Sequence, residues 1–152
     1  MNQPIPTHLS HTPLIRVESY NHKDGAYHPN DTDAKGLSIG LASWDKSEVS
    51  LKVWRYTGEM WSRQAEELPW HRPLDLSILL LSSIAHSYRA DIPASSLQES
   101  GSPQNFAQLK AYFESNSQEP KPGETTELEE LKRRIRELRN ILELAADALG
   151  IN

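Results

Sequence analysis

The sequence predicts an α+β fold: a small, mostly antiparallel sheet packed on a central helix, with a C-terminal helical segment. Three observations carry this expectation. Residues 37–66 hold short β-favouring runs separated by Asp45-Lys46-Ser47-Glu48 and Thr57-Gly58. Leu74, Ile78, Leu81, Ala85 and Tyr88 recur at steps of three and four, the stripe of an amphipathic helix. Leu128, Leu131, Ile135, Leu138, Leu142, Ala145 and Leu149 continue the same alternation as a heptad seam.

In chain order, residues 1–13 read as an extended arm rich in Pro, His, Thr and Ser. Residues 14–89 form the α+β core. Leu14 to Tyr20 is a first strand, and residues 21–35 a polar loop of Asp, Asn and Gly turn residues. Three strands follow as a meander at about 37–44, 49–56 and 60–66. A two-residue turn at Thr57-Gly58 would set Trp54 opposite Trp61 and Tyr56 opposite Glu59, with Leu51, Val53 and Met60 on the other face. Both faces are then apolar. One suits the chain's own helix, and the other the N-terminal arm, a second subunit or a ligand.

The helix starts within residues 70–74, where Pro69, Pro73 and Asp75 suit a helix N-terminus, and runs to about 89 as the central buried helix. Residues 90–124 are a linker with a short helix at about 103–115. Residues 125–150 form the last helix, with a capping box at Thr126 and Glu129 and a stop at Gly150. Its seam suits self-association or packing on its own domain.

Composition narrows function. The chain has 152 residues and a net charge of −5, against the basic footprint of a general nucleic-acid binder. It has no cysteine, which excludes disulfides and thiolate chemistry. No signal peptide and no membrane-length apolar run are present, so a cytoplasmic protein with no membrane partner is expected.

The stretch 36–81 holds all four tryptophans and most of the arginine and histidine able to face a ligand. Lys52, Arg55, Trp61, Arg63, Glu66, His71 and Arg72 are the candidate ligand-binding residues. Arginine forks bind phosphate or carboxylate, and indole faces stack on bases or hold cations. The structural alternative makes the aromatics core and pairs the cations with Glu59, Glu66, Glu67 and Asp75. His71 with Glu66 or Glu67 is a second candidate, for proton transfer, although no nucleophile elbow or phosphate loop accompanies it. His22, His28, Asp31 and Asp33 have metal-ligand chemistry but match no metal-site spacing, so no metal or cofactor is assigned. His8 and His11, in the arm, carry less signal still.

One stretch also resembles a known family. It comprises Asp31, Asp33-Ala34-Lys35-Gly36-Leu37-Ser38, Gly40-Leu41-Ala42, Trp44, Lys52-Val53-Trp54-Arg55, Thr57-Gly58, Trp61-Ser62-Arg63-Gln64, Glu66-Glu67-Leu68-Pro69, His71-Arg72 and Leu74-Asp75-Leu76. These residues resemble an uncharacterised bacterial family catalogued only as a domain of unknown function. The likeness spans residues 31–76, about a third of the chain. Trp70 and Pro73 stand where aliphatic residues are expected, which suits a later helix start. The resemblance implies no activity, cofactor or partner. The expectation is therefore a small, non-catalytic binding or interaction module. It would self-associate through its C-terminal helix or exposed sheet face, with a candidate anion or nucleotide pocket.

Overall fold

The computed structural model describes residues 4–24, 32–89, 91, 105–115 and 125–151. Four strands form one antiparallel sheet in the order β1 (Thr12–Glu18), β2 (Ala34–Leu41), β3 (Val49–Arg55), β4 (Glu67–Pro69). A 3₁₀ turn, Tyr20–His22, follows β1. Three helices complete the chain: α1 (His71–Tyr88), α2 (Phe106–Ser115) and α3 (Glu127–Leu149). The α+β class and the C-terminal helix are as the sequence predicts.

The two faces of the sheet differ because β2 alternates small and aliphatic residues. Ala34, Gly36, Ser38 and Gly40 point to one face and are buried, as is Ala42 just beyond the strand; Leu37 and Ile39 point to the other. The arm at residues 4–11 crosses the small-residue face. A Cβ on Gly36 would lie 2.4 Å from Ile5 Cδ1, and one on Gly40 would lie 2.2 Å from the Thr12 carbonyl oxygen and 2.8 Å from His11 Nε2. The glycines thus form a floor that lets another chain segment approach the backbone closely. Gly40→Ala is expected to cost about 1–3 kcal/mol by overpacking, read as a lower urea midpoint. An unchanged midpoint would mean that nothing lies against that floor.

The hairpin differs from expectation. Tyr56, not Trp54, bridges to Trp61. Thr57 closes a wider loop: its N–H donates to the Met60 carbonyl at 3.0 Å and its hydroxyl donates to the same oxygen at 3.1 Å. Gly58 within it takes φ 100, the left-handed region that glycine tolerates. Residues 63–65 then bow out of the ladder: the Ser62 N–H still donates to the Arg55 carbonyl at 2.8 Å, the Val53 N–H donates to the Glu66 carbonyl at 2.9 Å, and strand pairing resumes at Lys52 with Glu67. The expected strand at 60–66 is therefore the short β4 at 67–69, reached after an excursion that brings Glu66 to Arg55. Trp54 and Trp61 still meet edge to face, with ring centroids 5.9 Å apart.

α1 begins at His71 and meets β4, but its apolar residues run on to α2 rather than across the sheet. None of its residues is fully buried, which corrects the expectation of a buried central helix. Its C-terminal half meets α2, where the His86 and Phe106 rings meet tilted with centroids 4.4 Å apart and Lys110 sits 5.0 Å over the Tyr88 ring. In α3, Thr126 Oγ1 accepts the Glu129 N–H at 3.2 Å and Gly150 turns at φ 67, the predicted caps. Leu131, Ile135 and Leu138 line a groove with Ser77, Leu80 and Leu81 of α1, whereas Leu142 and Leu149 are open. The last helix thus turns part of its seam toward its own chain.

Candidate functional site

The densest polar constellation lies between the arm and the sheet. His11 is wholly buried, delivered by the arm onto the floor beside Gly40. Trp54, from β3, is 1% exposed; its indole N–H donates to Ser38 Oγ at 2.8 Å. Ser38 Oγ lies 2.9 Å from His11 Nε2. On the other side of the ring, Nδ1 lies 3.0 Å from Ser50 Oγ and 3.2 Å from Glu67 Oε1. Ser50 donates to Glu67 Oε1 at 2.8 Å, and the Ser43 amide donates to it at 2.8 Å. Lys52 Nζ stands 3.5 Å from Glu67 Oε2 and 4.5 Å over the Trp54 ring.

The proton positions follow from the donors. Indole N–H can only donate, so Ser38 accepts from it and spends its own O–H on His11 Nε2. Ser50 spends its O–H on Glu67, leaving Nδ1–H of a neutral imidazole to donate to Glu67 and Ser50. Every polar group in the chain of bonds is satisfied. Burial pushes the Glu67 pKa up. The Ser43 amide, the Ser50 and Ser43 hydroxyls and His11 outweigh it and hold the carboxyl at about 2. For His11, burial is the largest influence and lowers its pKa against the pull of Glu67.

Ser38, His11 and Glu67 have the spacing of a nucleophile, base and orienting carboxylate. The surroundings argue for a structural role. Ser38 is 5% exposed, and one of the two lone pairs on its oxygen is already taken by the Trp54 N–H.

A second cluster joins Arg55 with Asp33 and Glu66. Arg55 Nη1 lies 2.6 Å from Asp33 Oδ1, and Nε lies 3.0 Å from Glu66 Oε2, with Nη2 on Glu66 Oε1 as well. Glu66 first, then Asp33, raise the Arg55 pKa, and Arg55 lowers that of Glu66. The guanidinium fork is filled by carboxylates from its own chain, leaving little for an external anion.

The predicted ligand-binding residues therefore divide. Lys52 belongs to the His11 network, and Arg55 and Glu66 to the ion cluster. Trp61 packs edge-on against Trp54 and Tyr56. Arg63, His71 and Arg72 are exposed, and none forms an ion pair among the described residues. His71 meets the Trp70 ring edge-on at 5.7 Å. Glu66 and Glu67 are thus bonded to partners other than His71. Of the candidate metal ligands, His28 and Asp31 lie outside the described residues, and Asp33 is paired with Arg55. Among the described residues no three His, Cys, Asp or Glu side chains gather as a metal site.

His11, Ser38 and Ser50 were not among the sequence-derived candidates. Their signal was the alternation of small residues from Ala34 to Ala42, which marks a face made to receive another segment. Ser38, Lys52, Trp54, Arg55, Glu66 and Glu67, all within the stretch quoted for the family resemblance, account for most of both clusters.

The other face of the sheet is apolar and open. Ile15 and Val17 of β1, Leu37 and Ile39 of β2, Leu51 and Val53 of β3 and Leu68 of β4 line a trough of about 460 Å³, ended by Pro73. Ile15 is 63% exposed and Ile39 41%.

These features define a small sheet domain strapped by its own N-terminal arm, with one face closed by polar bonds and the other left apolar. The chain belongs to DUF6530, a family of unknown function whose model matches residues 1–93. No curated protein and no solved structure matches it. The match ends shortly after α1, so α2 and α3 lie beyond it. Among the described residues no helix is long and apolar enough to cross a membrane.

Proposed function

We propose that the chain is a small, non-catalytic cytoplasmic interaction module that self-associates. The observation supporting this reading is the open apolar trough on the outer face of the sheet. A contiguous apolar surface that the chain's own helix does not cover marks a contact surface. α1 adds to it: Leu74, Leu76 and Ile78 are each more than half exposed around its first turns. A helix apolar on all sides belongs inside a larger core. The open C-terminal half of the α3 seam, at Leu142 and Leu149, is a further contact surface in this reading.

The enzymatic alternative, with His71 and Glu66 or Glu67 moving protons, has less support because both carboxylates are bonded elsewhere. A small anion has its best candidates in Arg63 and Arg72, the exposed cations of the predicted set.

Analytical ultracentrifugation tests the reading. The full chain is expected to sediment as a dimer or larger. Ile39→Asp with Val53→Asp is expected to weaken association at least about tenfold, since buried anchors carry most interface energy. Circular dichroism should be unchanged, because both side chains face the trough. A wild-type chain that stays monomeric at high concentration would sink the proposal.

A further inference from the structure

We infer that residues 4–11 form a strap that protonation of His11 releases from the sheet, a pH-sensitive switch built into the fold. The strap is tied at two points. At the first, the buried Ile5 side chain lies over Gly36, and its N–H donates to the Glu18 carboxylate at 3.1 Å. At the second, His11 fills the space over Gly40. Lys46 reinforces that end by donating to the Ser10 carbonyl. Residues 7–10 between the ties are exposed.

The second tie works only with a neutral ring. Protonation turns Nε2 from acceptor into donor. Ser38 then receives two N–H groups, and its own hydroxyl proton loses its acceptor in a site closed to water. An orphaned buried donor is destabilising, and the buried positive charge adds to this.

The charged groups around the ring come from every element packed on it. Glu67 on β4 favours the cation; Lys52 on β3 and Lys46 in the β2–β3 loop oppose it, and burial outweighs all three. Glu18, ion-paired with Arg16 at 3.5 Å, faces the other end of the strap, and His8 on the strap itself is exposed. The sign follows. The docked ring titrates below 6.5, whereas the released ring titrates near that ordinary value. Docking is therefore fully favoured above 6.5 and is lost as the pH falls below it. The β2–β3 ladder is made of backbone bonds that no proton disturbs, so release is local.

Hydrogen exchange on the full chain from pH 7.5 to 4.5, corrected for intrinsic rates, tests the switch. Protection at the Ile5 amide is expected to fall by up to about tenfold per pH unit within the window, the slope of a single proton. Amides of β2 and β3 should hold. The His11 ring, followed by carbon NMR, should titrate with the same midpoint. In His11→Gln the strap should lose its pH dependence. Simultaneous loss of strap and sheet overturns the inference, as does a ring that titrates without loss of protection. A wild-type pH profile in His11→Gln does the same. Should that variant not fold, coincidence of the two wild-type midpoints decides.

Discussion

Truncation of Trp54 to alanine is expected to unfold the sheet domain or leave it at the edge of stability. Trp54 is the largest fully buried side chain, and it joins the arm to the hairpin. Its ring meets His11 edge-on at 5.8 Å and Trp61 at 5.9 Å, with Lys52 over its face. Loss of a buried tryptophan costs about 3–5 kcal/mol, set against a typical total of about 5–15. Trp54→Phe separates the parts. It keeps most of the packing but removes the N–H that Ser38 accepts, for about 1–3 kcal/mol. Urea denaturation of the two variants should give clearly different midpoints. Equal midpoints would mean that the indole N–H contributes nothing to the network.

Replacement of Glu67 is expected to be nearly as damaging and to change the acid response. Glu67→Ala removes the acceptor for Ser43, Ser50 and His11 and leaves Lys52 unpaired at 12% side-chain exposure. Stripping one partner from a buried charged pair costs about 3–5 kcal/mol. The native carboxyl is held at about 2 against an ordinary 4.5. Its charge therefore stabilises the fold above about 4.5, and the contribution is lost as the pH falls toward 2. A shift of this size is worth on the order of 3 kcal/mol. Glu67→Gln keeps the shape without the charge, so its stability should be lower at pH 7 and flatter between pH 5 and 2. A variant as acid-sensitive as the wild type in that range would assign the acid response to another group.

Much of the fold was legible in the sequence because it rests on local chemistry. The caps of α3 at Thr126 and Gly150 and the alternation of β2 and β3 follow from propensity and period within a few residues. The hairpin register was not legible. The Thr57 hydroxyl closes a wider turn, and residues 63–65 bow out of the ladder ahead of the Arg55–Glu66 contact; neither shows in a strand pattern. The course of α1 was hidden for a related reason: a leucine stripe marks an apolar helix face, not what lies against it, and here Leu74 and Ile78 of that stripe are half exposed. Of the site, the sequence marked the residues but not their partners. Lys52, Arg55 and Glu66 stood out as charged groups among aromatics, and their partners are charged groups on or beside the strands: Glu67 for Lys52, and Asp33 and Glu66 for Arg55. His11 escaped notice because its partners Ser38, Ser50 and Glu67 lie 27, 39 and 56 residues away.

That separation sets an order of assembly. The arm leaves the ribosome before the sheet it lies on, and its histidine has no complete set of partners until residue 67 has been made and β4 has joined β3. Contacts that span so much chain carry a large loop-closure cost and form after local ones. The β2–β3 hairpin can form early with its glycine floor bare, and the arm, although it precedes the sheet in the chain, docks only after the sheet is complete.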